Sequence, residues 1–228
     1  MKNQQSSFHS STYQWTGLLY LLVIICAGTS QGYVRGTLVV SGDAALSASN
    51  ILLNEGLFRL GLSLDLFAFI LDAVITVLLF QMFRPFGLTL AMTSSALRLI
   101  AHPAIGSLNL LNHYLALSVL EGSPFDMLQA QELSMLFMQA HTYGYLIAGA
   151  FFGVHCFLLG IQIYRSNTIP NIFGGLLIGS ALGYIIETFG NFNVPGYETY
   201  TALIVGISAA IGEVSFTLYL LIKGKRTA

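Results

Sequence analysis

Apolar residues in this chain come in long runs broken by brief polar segments, without the strict alternation of a half-buried strand. Six runs are long enough for a helix to cross a bilayer, which takes about 20 apolar residues. They cover residues 15–33, 57–83, 88–117, 136–164, 172–189 and 200–222. The expected fold is all-α: a six-transmembrane-helix bundle forming a single domain over residues 1–228. No small-x-small cleavage site closely follows the first run, so it reads as a retained helix rather than a cleaved signal.

The breaks between runs differ in kind. Arg84-Pro85-Phe86-Gly87 and Ser166-Asn167-Thr168-Ile169-Pro170 are tight turns, the latter placing proline at a helix start. The alternate connections are longer. Asp43 is expected to cap a short interfacial helix over residues 44–54, and Ser123-Pro124-Phe125-Asp126 to open a segment running into the fourth helix.

Composition strengthens the membrane reading. The chain is 55% hydrophobic and only 8% charged, against roughly a quarter charged in soluble domains. Nine Lys+Arg against ten Asp+Glu leave no basic excess, which excludes nucleic-acid binding through a basic face. Two cysteines inside apolar runs do not make a disulfide scaffold. With six crossings, Lys2, Arg84, Arg165, Lys223, Lys225 and Arg226 fall on one side. Asp43, Glu55, Glu121, Asp126, Glu132 and Glu198 fall on the other, along with Arg35 and Arg59. The positive-inside rule then puts both termini in the cytoplasm.

The few ionisable residues inside the runs are where chemistry is to be sought, because each costs roughly 2.5–3.5 kcal/mol to insert and must face the bundle interior. They are Asp65 and Asp72, Arg98 and His102, His141 and His155, Glu187 and Glu213. Asp65 and Asp72, seven apart, share a helix face, while Ser94, Arg98, His102, Asn109 and His113 form one stripe. Counting along the helices predicts two layers. Asp72, Arg98, His155 and Glu213 lie deep; Arg59, Asp65, His113, His141 and Glu187 lie toward the outer side. The deep layer reads either as structural ion pairing at Arg98 or as the lining of a cavity open to the outer side.

Close helix packing is written as Gly149 with Gly153, and as the Gly175, Gly179, Gly183 stripe, which also fits a homo-oligomer contact. Pro103 should kink the third helix beside His102.

No H-E-x-x-H or phosphate-cradling loop is present, so a metal site would have to be assembled from separate helices, with Asp72, His155 and Glu213 as candidate ligands. Paired histidines raise haem as a lesser possibility, although the helical separations do not match in level.

Several segments carry a family resemblance: GLLYLL from Gly17, Gly42-Asp43, FRLGLSLDLF over residues 58–67, RPFG at 84–87 and Arg98-Leu99. To these add FFGVH ending at His155, Gly160, Ser166 with Ile169-Pro170, GGLLIG at 174–179, Tyr184, Pro195, Glu213 and Lys223-Gly224. In order and spacing the chain resembles the bacterial domain-of-unknown-function family number 4386. The resemblance implies a multi-spanning protein of the bacterial inner membrane and no particular reaction. The family tends to have Trp a few residues after Glu213, where this chain has Phe216 and Tyr219.

Two functional readings therefore stand side by side. The first is an integral membrane protein that binds a small amphiphile or lipid in an outward-facing polar cavity, for sensing or transfer. The second is an intramembrane metal-dependent hydrolase of a lipid-like substrate. Candidate cavity or ion-pair residues for both are Arg59, Asp65, Asp72, Arg98, His102, His155, Glu187 and Glu213.

Overall fold

The computed structural model describes residues 10–122 and 124–226, which are helical with short connections and, among the described residues, no strand. Lys2 and Ser123 lie outside the described residues. The elements are α1 (residues 10–38), α2 (Ala44–Leu53), α3 (Glu55–Phe83), α4 (residues 88–122), α5 (Met127–Ser166), α6 (Asn171–Asn193) and α7 (residues 198–226).

Local chemistry accounts for the helix ends. Asp43 caps α2, accepting from the Leu46 amide at 2.9 Å, as its position before an apolar run predicts. Asp126 and Gln129 close a capping box at the start of α5, each bonding the other's backbone N–H. Gly87, at φ 152°, turns the chain out of the short 3-10 segment Arg84–Phe86.

Among the described residues, five helices are long and apolar enough to cross a membrane: the ranges Ser11–Leu38, Glu55–Phe86, Met127–Ser166, Asn171–Asn193 and Glu198–Lys223. The remaining long helix, α4, is more polar because it carries Arg98, His102, Asn109, Asn112 and His113.

Neighbours in sequence are neighbours in space, and the last helix returns to the first. α1 packs on α3, α3 on α4, α4 on α5, α5 on α6, α6 on α7 and α7 on α1. α5 is the most enclosed, with 61% of its most apolar stretch buried against 28% for α1 and α7.

Three apolar clusters hold the bundle. One, at the end with the tight turns, is built around Tyr20, Ile75, Phe83, Leu159, Phe216 and Leu220. A second, at the end with the long connections, contains Val34, Ile51, Phe58, Leu117 and Met138. The third, around Phe152, Cys156 and Ala181, sits midway. Large apolar side chains such as Phe67, Ile70, Leu111, Phe157, Leu182 and Ile207 face outward, while Asp65, Asp72 and Arg98 are buried. That inversion of the soluble pattern suits a chain whose solvent is hydrocarbon.

Glycines set the closest approaches. A Cβ on Gly160 would come within 2.7 Å of the Gly174 carbonyl, so α5 and α6 meet backbone to backbone there. The Gly175, Gly179, Gly183 stripe divides. Gly183 packs on α7 against Ser208, Gly175 meets the Tyr164 hydroxyl, and Gly179 faces open space.

Three long helices widen to π-helix, at Thr29–Arg35, Ile100–Gly106 and Ala210–Val214. The second contains Pro103, whose missing N–H breaks the α ladder, so the expected kink takes the form of a π turn. The three turns hold Ser30 and Arg35, His102, and Glu213, all polar groups inside apolar helices.

Candidate functional site

Two buried polar networks occupy the bundle. The first is centred on Arg98, 1% exposed, projecting from α4 just before the π turn. Its Nε donates to Asp72 Oδ1 on α3 at 3.1 Å, and Nη2 closes a second, shorter bond to the same oxygen. Nη1 donates to the Tyr20 hydroxyl on α1 and to His155 Nε2 on α5, the latter at 3.0 Å. The guanidinium also lies over the Tyr20 and Phe152 rings, its central carbon 4.5 and 5.0 Å from their centroids.

The tautomer of His155 follows from its partners. Nδ1 lies 2.9 Å from the Ser94 carbonyl, which can only accept, so Nδ1 carries the proton and Nε2 accepts from Arg98. Each nitrogen of Arg98 has a partner, and the buried charge is matched by Asp72. Asp72 Oδ2 has no hydrogen-bond partner; His102 Nδ1 lies 3.5 Å from it.

The second network sits toward the long connections. Arg35 Nη1 pairs with Asp65 Oδ2 at 2.5 Å and with Ser30 Oγ at 2.9 Å, and approaches His113 Nδ1 at 3.5 Å. Ser30 in turn donates to the Gly61 carbonyl at 2.8 Å. His113 Nε2 bonds the Phe58 carbonyl at 3.1 Å, and His141 Nδ1 bonds the Asn109 carbonyl at 3.1 Å. The two imidazoles meet edge to face with centroids 5.4 Å apart, and Tyr145 packs on His141 at 4.9 Å. This network is incompletely bonded. Asp65 Oδ1, His141 Nε2 and the Tyr145 hydroxyl are all buried without a hydrogen-bond partner, a state that costs on the order of 1–3 kcal/mol per group. Aromatic contacts join the two networks: His102 against Phe69 at 5.8 Å, and Phe69 against Tyr145 at 6.2 Å.

The residues singled out from the sequence fall into separate groups. Asp72, Arg98, His102 and His155 are brought together; Asp65 joins Arg35, His113 and His141 in the other network. Arg59 enters neither: it is exposed and forms ion pairs with Glu55 and Glu121 at the end with the long connections. Glu187 is half-buried on α6 and also stands apart. Glu213 accepts from the Tyr184 hydroxyl at 2.8 Å and does not bond Arg98.

Asp72, His155 and Glu213 therefore do not form a shared donor set, because Arg98 and Ser94 engage both His155 nitrogens and Tyr184 holds Glu213. Among the described residues, the group whose ligand atoms approach within 4.8 Å of one another is Asp65, His113 and His141. A haem between paired histidines finds no slot, since His113 and His141 are in ring contact and His155 is bonded at both nitrogens.

Sequence reasoning missed three participants. Arg35 is placed in a loop by a helix ending at residue 33; α1 continues to Leu38, and its π turn swings Arg35 inward. The signal available was the apolar Val34 and Leu38 on either side of it. Tyr20 and Tyr145 read as ordinary apolar positions, and only their hydroxyls mark them.

Beside the second network, between α3 and α4, lies a crevice of about 300 Å³. Phe58, Leu62 and Leu117 give it apolar walls, and Arg59, Ser63 and His113 add polar groups.

A family model described as Domain of unknown function (DUF4386) matches residues 15–224. A protein of Archaeoglobus fulgidus named "Uncharacterized protein" is 40% identical over 76 residues, which is 33% of this chain and 43% of that protein. The chain thus spans less than half the length of this curated relative. No solved structure matches the chain. The family match takes in every residue of both buried networks, and the chain belongs to the DUF4386 family.

Proposed function

We propose that this protein is a six-crossing integral protein of the cell membrane, with both termini cytoplasmic, and that it binds a small amphiphile or lipid in the crevice between α3 and α4. The sixth crossing is α4. Its polar side chains Arg98, Asn109 and His113 are buried, whereas Leu99, Leu108 and Leu111 face outward. Orientation follows from charge: Arg84, Arg165 and Lys223 gather at the tight-turn end, and Glu55, Glu121, Asp126 and Glu198 at the other.

The observation that carries the ligand reading is the crevice itself. Its walls are apolar over Phe58, Leu62 and Leu117, with a charged residue and a hydroxyl, Arg59 and Ser63, within reach of a headgroup. Arg59 already lies between Glu55 and Glu121, so the local charge is net negative and favours a zwitterionic or cationic headgroup over an anionic one. Sensing or transfer is the role that such a site supports.

Lipid extraction and mass spectrometry of the purified full-length protein test this. A co-purifying amphiphile is expected, and Leu117→Trp, which fills the crevice, is expected to reduce its amount several-fold in protein that still elutes as a single species. Equal retention in Leu117→Trp, or nothing above the detergent background, overturns the reading.

A further inference from the structure

We infer that Asp65, His113 and His141 form a binding site for one divalent transition-metal ion, with zinc the best match to the donors. The three side chains come from α3, α4 and α5, are no more than 1% exposed, and bring ligand atoms within 4.8 Å of one another.

The proton positions make all three donors available. The Asn109 carbonyl can only accept, so His141 Nδ1 carries its proton and Nε2 presents a lone pair, which has no partner. The Phe58 carbonyl fixes His113 in the opposite tautomer: Nε2 carries the proton and Nδ1 presents the lone pair. Asp65 gives Oδ2 to Arg35 and leaves Oδ1 unpartnered. Each candidate ligand is thus held by one bond and keeps a further nitrogen or oxygen for a metal, the relation that orients metal ligands.

Two imidazole nitrogens and a carboxylate oxygen are a borderline-soft set suited to zinc, and three protein ligands leave a coordination position open. Tyr145, whose ring packs on His141 and under the Arg35 guanidinium, has a buried hydroxyl without a partner that could bond a water in that position. The donors need a short contraction: the 4.8 Å limit compares with roughly 3.4 Å between ligands at ~2.1 Å from a tetrahedral ion. Arg35 balances Asp65 and would give up only its 3.5 Å approach to His113 Nδ1, keeping its bonds to Ser30 and Asp65. A guanidinium so close to a cation is unfavourable. The unpaired lone pairs of Asp65 and His141 in an apolar interior argue in the other direction.

The site shares His113 with the crevice but does not depend on a ligand there. The test uses full-length protein in detergent, stripped with a chelator and titrated with Co(II). Binding of one Co(II) per chain is expected, with the visible d–d absorption of a low-coordinate ion, displaced by Zn(II). Loss of an outer-shell partner typically weakens binding ~10–100-fold. His141→Gln and Asp65→Asn, which remove a ligand atom, should lose more than that, and His102→Gln in the other network should bind as the parent does. Thermal unfolding establishes that each variant is folded. If the ligand variants fail to fold, the stoichiometry and visible spectrum of Co(II) bound to the parent still decide. A parent that takes up no Co(II), or uptake unchanged in folded Asp65→Asn and His141→Gln, overturns the proposal in favour of an ion pair with buried water.

Discussion

Asn109 and His141 clasp each other across the α4–α5 interface: His141 Nδ1 donates to the Asn109 carbonyl at 3.1 Å, and the Asn109 side-chain amide returns a bond to the His141 carbonyl at 2.7 Å. Each uses the other's backbone, so the imidazole is fixed in height, tilt and tautomer. Gly144 makes the clasp possible, because a Cβ there would lie 2.2 Å from Asn109 Oδ1. Gly144→Ala is therefore expected to displace Asn109 and destabilise the protein, despite the gain of up to ~1 kcal/mol in helix propensity. Gly206→Ala, where the added Cβ meets nothing within 4 Å, should be neutral or stabilising. Thermal unfolding of the two variants in the same detergent checks the contrast.

Arg98 is the obligatory partner of the other network. Arg98→Ala leaves Asp72 charged and buried, a loss of about 3–5 kcal/mol. Arg98→Lys should cost less, since an ammonium can still meet Asp72 while losing the bonds to Tyr20 and His155. The double variant Arg98→Met with Asp72→Leu should recover much of the loss, because it removes both charges together. Denaturation of these three variants and the parent tests the order; equal stability of Arg98→Ala and the parent would exclude an obligatory pairing.

Topology can be read from outside the cell. In a variant lacking Cys26 and Cys156, single cysteines at Glu121 and Glu198 should react with an impermeant thiol reagent added to intact cells. Cysteines at Arg84 and Arg165 should react only after permeabilisation. The reverse pattern sinks the cytoplasmic placement of the termini, and agreement at all four positions supports α4 as a crossing helix.

Gly183 and Gly179 separate packing within the chain from packing between chains. A Cβ on Gly183 would lie 2.1 Å from Ser208 Oγ and 3.1 Å from the Val205 Cα, so Gly183→Ala should pry α6 from α7 and lower stability. Adding Ser208→Ala should restore part of it. Gly179 faces open space, so Gly179→Leu should leave stability unchanged, and it reduces crosslinked dimer only if this stripe joins two copies.

Much of the architecture was legible in the order of residues, because a hydrocarbon solvent imposes strong rules. Apolar runs marked the long helices to within a few residues at most ends, and Asp43 marked the start of α2. Helical spacing alone put Ser94, Arg98, His102, Asn109 and His113 on one stripe, since that depends only on a 100° turn per residue. The same inward rule, that charge must leave the lipid, picked out Asp65, Asp72, Arg98 and His155.

Which of those residues meet was decided by the tertiary structure. A π turn, a local widening of the hydrogen-bond ladder with no reliable sequence mark, carries Arg35 from an apparent loop into contact with Asp65. Glu213 and Arg98 share a depth by counting along their helices, yet rotation of α7 hands Glu213 to Tyr184 instead. Partners across helices depend on interaxial distance and rotation, which small residues such as Gly144, Gly160 and Gly183 set through close approach. Linear order therefore determined that this chain hides a few charges inside an apolar bundle. Packing divided them into a network in which Arg98 bonds Asp72, Tyr20 and His155, and one that leaves Asp65 Oδ1, His141 Nε2 and the Tyr145 hydroxyl without partners.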